Sequence, residues 1–285
     1  SGSSILKSIE WSVARTGTIT PVAIIEPVEL SGAMVSRCSL HNLSRVKELG
    51  ISPGATVIAM RRGGVIPHIE SVSSPGEGGV SWPNDCPSCG APTATNRNEH
   101  VRGGEVVRVI ETLACSAPAT CPASIRGTIE HFTKALDIDG FGPKMVEKLM
   151  AADLLDTVAD LYRLGPGDFL GMEGVGEVLA AKLVGGVQGK SSLPLVAFLT
   201  ALGIEGLGEV TTRTLSERFV SLERILSLTR EELEVLDGFQ ETLAETIVTG
   251  IEQRRPVIDA LLEVVTVQSF AIAPVTTASG PFTGR

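Results

Sequence analysis

A short pattern recurs through the second half of the chain at nearly constant spacing. The copies are Ile138-Asp-Gly140-Phe141-Gly142, Met172-Glu-Gly174-Val175-Gly176 and Ile204-Glu-Gly206-Leu207-Gly208. Each is a hydrophobe, an acid, then Gly-hydrophobe-Gly, and each runs into an amphipathic stretch. A fourth, Leu236-Asp-Gly238-Phe-Gln240, keeps the pattern but loses its second glycine. The first glycines lie 34, 32 and 32 residues apart. A single Gly-x-Gly is usually no more than a helix-helix connection. So steady a period instead marks a duplicated unit, here helix-hairpin-helix, and predicts an all-α domain of four repeats over 127–265.

Around the repeat the texture is helical. Apolar periodicity predicts helices over 129–136, 144–151, 154–163, 177–184, 193–202, 209–219, 222–227, 230–236, 242–253 and 257–265. The end, 266–285, is rich in Ser, Thr, Pro and Gly and reads as a linker. The first 81 residues differ. Short β-rich stretches at 9–13, 22–30, 55–60 and 65–72 alternate with Gly and Pro turns, one of them Gly63-Gly64, and one helix-like segment spans 43–49. That order suits a small OB-type barrel over 1–81, although a small sandwich would give a similar pattern. The fold class is therefore multidomain α+β. A linker-like stretch, 73–83, leads out of the barrel.

Between the two regions, over 82–126, lie four cysteines. Cys86 and Cys89 form a Cys-x-x-Cys-Gly knuckle, and after a gap of 25 residues come Cys115 and Cys121, with five residues between them. Two such pairs make the tetrahedral thiolate set of a structural Zn²⁺ site, with no position left open for catalysis. His100 lies between the pairs as a substitute ligand. Cys38 sits in an apolar β-rich stretch and reads as a small buried hydrophobe.

Charge and composition narrow the function classes. Net charge is -9, which argues against a protein that coats nucleic acid through a broad positive field. Of 24 basic and 33 acidic residues, 11 of each fall in 1–130, so the hairpin half carries the whole deficit. Aromatics are few, 8 Phe, 2 Trp and 1 Tyr, so base stacking is not expected to dominate any binding. No apolar run approaches the roughly 20 residues of a membrane span, and no secretory leader opens the chain, so a cytoplasmic setting with reduced thiols is expected.

The hairpins supply a different route to an anion. Glycine admits φ > 0 and lets a backbone approach closely, while the following helix aims unpaired N–H groups the same way. The result is a small site suited to one phosphate of a nucleic acid. The candidate contacts are Gly140, Phe141, Gly142, Gly174, Val175, Gly176, Gly206, Leu207 and Gly208, with Lys144, Lys182 and Arg213 adding charge. Glu177 and Glu209 stand just after the second and third hairpins and oppose a phosphate, which ranks the first hairpin best and the fourth worst. On this reading Gly140→Val or Gly174→Val should weaken duplex binding. The four histidines are scattered, Lys134-Ala-Leu-Asp137 lacks the Gly of a Lys-x-Asp-Gly motif, and no Walker or dinucleotide fingerprint is present. No catalytic residue is assigned.

Four further stretches carry a resemblance. Trp11-Ser-Val-Ala-Arg15-Thr-Gly17-Thr-Ile-Thr-Pro21-Val-Ala23, Glu26-Pro-Val-Glu-Leu30, Val35-Ser-Arg37-Cys-Ser-Leu-His-Asn42 and Gly64-Val-Ile-Pro67 resemble the barrel of the bacterial NAD-dependent DNA ligases. The four cysteines and the hairpin repeats then follow in that family's order, over nearly the whole chain. The resemblance implies the DNA-binding C-terminal portion of such a ligase, with OB, zinc and helix-hairpin-helix domains that close on nicked duplex DNA during replication and repair. It implies that NAD and Mg²⁺ serve an adenylation domain of the same parent chain, and that 266–285 leads toward a BRCT domain. Arg15 and Arg37 become backbone contacts near the nick, and the protein a monomer associated with the bacterial nucleoid. The sequence departs from the family at Gly64, where an acid is usual, and at Gln240. A junction-binding repair module without catalysis, and a packing scaffold, remain as alternative readings of the same motifs.

Overall fold

The computed structural model describes residues 1–61, 66–102 and 105–271, with the backbone alone for 100–102 and 105. The expected Gly63-Gly64 turn, the start of the expected strand 65–72 and residues 272–285 of the expected linker lie outside that set. The chain forms two compact units, Ser1–Gly127 and Thr128–Arg285.

In the first unit, β1 (Gly2–Val13), β2 (Thr18–Leu30), β3 (Ala33–Ser39), β4 (Thr56–Met60) and β5 (His68–Ser74) form a sheet, with helix α1 (Leu43–Leu49) between β3 and β4. The strand order β1-β4-β5-β3-β2 closes on itself through β1–β2, giving a five-stranded OB barrel. Alternation drives it: Ile19, Pro21, Ala23 and Ile25 of β2 point inward while their neighbours do not. Register shifts in β1–β2 and β2–β3 bend the long strands around the closure. Leu6, Ile25, Leu30, Cys38, Val57 and Ile69 fill the interior. Cys38 is 1% exposed and its burial pushes the thiol up to about 11, so it is indeed a small hydrophobe.

Sequence periodicity missed β3, because its buried residues, Val35 and Cys38, are three apart and hide the period of two. Ser73 and Ser74 belong to β5, so the expected linker begins later. Helix α1 is bounded as expected: the Asn42 side chain accepts from the Arg45 N–H at 3.0 Å, and Gly50 ends it at φ 57°. Asn42→Ala is expected to cost about 1 kcal/mol in a urea melt, the ordinary value of a lost N-cap; an unchanged midpoint would count against that cap.

An antiparallel ribbon, β6 (Thr93–Arg102) and β7 (Glu105–Cys115), extends the same sheet through two pairings of β2 with β7, Thr18↔Ala114 and Ile19↔Leu113. The sequence reading left this ribbon unassigned.

The helix α2 (Pro122–Ala135) begins seven residues before the expected 129, with a proline at its first position, where the missing N–H costs nothing. The second unit then holds α3 (Pro143–Ala151), α4 (Glu177–Gln188), α5 (Leu195–Ala201), α6 (Glu209–Phe219), α7 (Leu222–Leu226), α8 (Arg230–Glu234) and α9 (Glu241–Leu262). The expected helix 154–163 is a 3-10 turn, Val158–Arg163. The two helices expected on either side of Pro256 are one. Ile247, Ile251, Ile258 and Leu261 share one buried face of α9, and their burial outweighs the roughly 3 kcal/mol that an interior proline costs. The expected linker opens as a strand, β9 (Thr266–Gln268), which pairs in parallel with β8 (Ser192–Pro194).

Candidate metal centre and hairpin surface

The four expected cysteines converge. Their sulfurs all lie within 4.8 Å of one another, Cys86–Cys121 at 3.9 Å and Cys89–Cys115 at 3.5 Å. A tetrahedral thiolate site with bonds of about 2.3 Å has sulfur–sulfur edges of about 3.8 Å, whereas a disulfide needs about 2.05 Å. The spacing thus fits a metal ion, and every cysteine is free. Among the described residues the cluster contains no other ligand type.

Local structure aims each thiol. The first knuckle turns on Gly90 (φ 72°), with the Gly90 N–H donating to Cys86 O at 2.9 Å and the Cys86 N–H to Ala91 O at 2.7 Å. Cys115 ends β7, and its N–H donates to Gly17 O in the β1–β2 turn of the barrel at 2.9 Å. A Cβ on Gly17 would lie 2.7 Å from Pro118 Cβ, so barrel turn and second knuckle are packed against each other. Cys121 immediately precedes α2, and its carbonyl accepts from the Ile125 N–H at 2.9 Å. Burial opposes its ionisation, but hydrogen bonds from Ser88 and from the Ser124 and Ala123 amides outweigh that and hold the thiol down at about 6. At Cys115 burial prevails and pushes the thiol up to about 12. Ser88, whose Oγ also accepts from the Ala123 N–H at 3.1 Å, and Gly17 are supporting residues that the sequence reading did not single out.

The hairpins separate the roles of their two glycines. The first always has positive φ: Gly140 92°, Gly174 82°, Gly206 84° and Gly238 87°. It occupies the third position of a type II turn, closed in the last three hairpins by bonds of 3.1 Å, Val175 N–H to Met172 O, Leu207 N–H to Ile204 O and Phe239 N–H to Leu236 O. The second glycine instead caps the following helix with extended backbone, at φ -74° for Gly142, -90° for Gly176 and -71° for Gly208. Gln240 does the same at -73°, so no conformational demand calls for glycine there. What Gly142, Gly176 and Gly208 provide is open space: a Cβ at each would meet nothing within 4 Å.

Packing pairs the hairpins. A Cβ on Gly140 would run into Leu183 of α4, and one on Gly206 would lie 2.8 Å from Leu243 of α9. The first and second repeats therefore form one tandem and the third and fourth another. Lys148 Nζ of α3 also donates to Glu173 O of the second hairpin at 3.3 Å. The side chains of Phe141 and Leu207 are buried and hold their turns in place, while Val175 is half-buried. Gly140 and Gly206 are likewise packed, whereas Gly174 is open.

Among the expected cationic contacts, Lys144 and Lys182 are exposed, and no ion pair involves either among the described residues. Arg213 Nη2 lies 3.5 Å from Glu209 Oε1, and Arg37 is held by Glu10 at 2.6 Å. Arg15 is half-buried and packs at Gly127, where an added Cβ would lie 3.0 Å from Arg15 Cβ. The helix after the first hairpin has no acid in its first turn, whereas Glu177, Glu209 and Glu241 open the other three.

Comparison with known proteins converges on the same segments. Residues 3–78 match the NAD-dependent DNA ligase OB-fold domain, 132–187 a SAM-like helix-hairpin-helix tandem and 197–255 the helix-hairpin-helix motif. The two hairpin matches coincide with the two tandems that packing defines. A DNA ligase of Haloarcula marismortui is 39% identical over 267 residues, covering 90% of this chain and 37% of its own length. A DNA ligase of Methylococcus capsulatus is 40% identical over 231 residues, 79% of this chain and 33% of its own. One from Syntrophotalea carbinolica is 35% identical over 292 residues, 99% and 41% respectively. The chain thus spans about two fifths or less of the relatives it matches. With barrel, cysteine cluster and paired hairpins in this order, the chain is a portion of an NAD-dependent DNA ligase.

Proposed function

We propose that this chain is the part of the ligase that holds nicked duplex DNA while an adenylation domain of the same parent chain, using NAD and Mg²⁺, prepares the break for sealing. The observation that carries the reading is the open helix-capping glycine, repeated at Gly142, Gly176 and Gly208, which leaves backbone amides approachable by a phosphate. Such contacts position a duplex without reading its sequence, as a ligase requires. Gly174, Val175 and Lys182 serve the second hairpin, and Lys144 the first. The first hairpin, with no acid at its helix start, grips most strongly, and the fourth, where Gln240 fills the open space, least. Gly140, Phe141, Gly206 and Leu207 act by holding their turns. Arg213 joins in by leaving Glu209, Arg37 by leaving Glu10, and Arg15 and Arg37 meet the backbone near the nick. The metal is zinc, bound by four thiolates with no open position, and its part is structural. The setting is the bacterial cytoplasm and nucleoid, and the protein works as a monomer.

Affinity of the chain for nicked and intact duplex, titrated across salt, tests this. Binding is expected to weaken linearly in log–log form with salt and to favour the nick. Binding that ignores salt, or none to either duplex, would overturn it.

A further inference from the structure

The ribbon β6–β7 is sorted by charge in a way that the hairpins and barrel do not explain. Its base is fixed to the barrel: the Glu111 N–H donates to Ser44 Oγ of α1 at 2.7 Å, and Glu111 Oε2 pairs with Lys47 Nζ at 2.6 Å. Lys47 in turn sits 4.7 Å from the Trp82 ring. Glu111, Leu113 and Cys115 alternate along β7, so the face they share is turned toward the barrel and the metal site. Register places Arg97 opposite Glu111 and Glu99 opposite Val109 on that same face, where Arg97 and Glu99 pair at 3.7 Å.

The other face is chemically distinct. Asn96 stands opposite Thr112, Asn98 opposite Ile110, and Arg108 follows two residues before Ile110 on the same side. Asn96, Asn98 and Arg108 are all exposed. Both carboxylates of the ribbon among the described side chains, Glu99 and Glu111, lie on the rooted face. Among the described side chains, the outward face therefore offers two amides and a guanidinium, beside the half-buried Ile110 and Thr112, and no carboxylate. All three offer N–H donors at the reach and spacing of an extended strand, and the guanidinium suits a phosphate.

We propose that this outward face is a second contact for the phosphate backbone of duplex DNA, separate from the hairpins and independent of sequence. The inference rests on the duplex-holding reading above. Rooting on α1 supports it, because a ribbon fixed at its base presents the donors without first ordering them, which lowers the cost of binding.

The test uses the whole chain with its metal. Asn96→Ala, Asn98→Ala and Arg108→Ala combined should weaken intact-duplex affinity roughly tenfold and lower the salt slope by about 1, the share of one cationic contact. Arg97→Ala with Glu99→Ala, on the rooted face, should leave affinity unchanged, and both variants should keep full metal content and the wild-type melting temperature. Wild-type affinity in the triple variant would overturn the proposal and leave the ribbon to a protein partner or a second copy of the chain. Equal weakening in both variants would also overturn it. Gly176→Ala separates the two readings: if it weakens binding while the triple variant does not, the ribbon proposal alone falls. If the wild-type chain binds no duplex, both fall.

Discussion

Cys115→Ser is expected to empty the metal site and unfold the segment around it. The serine cannot supply a thiolate, and three sulfurs hold a tetrahedral ion far less tightly than four. Structural zinc sites in small peptides contribute about 10–16 kcal/mol of apparent binding energy near neutral pH, against a total stability of about 5–15 kcal/mol for a typical domain. Losing even part of that term is large. The damage should spread, because the Cys115 N–H is bonded to Gly17 O and Ile19 packs in one cluster with Leu113 and three of the cysteines. Metal analysis of the purified variant, with hydrogen exchange across β7 and the β1–β2 turn, checks this. Full occupancy with unchanged protection would refute the ligand set. Loading should also fall as pH falls: in the metal-free protein burial pushes the Cys115 thiol up to about 12, so binding must displace its proton.

The second large effect is a contrast between two glycines of one motif. Gly140→Val is expected to destabilise the first tandem by about 2–5 kcal/mol, adding a left-handed backbone penalty to an overpacking penalty. Its φ is 92° and its Cβ would run into Leu183. The sequence leads one to expect weaker duplex binding from this change, but lost binding would here follow from lost structure. Gly176→Ala is the sound test, since φ is -90° and the new methyl meets open space. Its melting temperature should stay near wild type while duplex affinity drops several-fold, because the methyl stands where a phosphate would approach. Thermal melts and salt-titrated binding on both variants decide the matter. A stable Gly140→Val chain, or a Gly176→Ala chain that binds as tightly as wild type, would contradict the division of roles.

Much of this was legible because it rests on local rules. A type II turn needs glycine at its third position, so Gly140, Gly174, Gly206 and Gly238 reveal themselves by period alone. Paired cysteines likewise declare a metal site by spacing. The Asn42 cap and the Gly50 stop mark α1 to the residue. Where the reading failed, a distant partner had overruled a local signal. Pro256 argues for a break, yet α9 runs through it because four isoleucine and leucine side chains on one face are buried together. Residues 266–268 look like a linker and become a strand because β8 supplies the ladder.

The amino-acid sequence by itself determined the period of the helical repeat, where its glycines must stand and which four sulfurs meet, since each follows from backbone conformation or ligand chemistry within a short window. Only the tertiary structure decided which glycine is packed and which is open, that the repeats pack in pairs, and that Glu111 of the ribbon is tied to α1 while Asn96, Asn98 and Arg108 stand exposed on the opposite face. Those properties depend on what lies across a space from a residue, and a period along the chain carries no record of that.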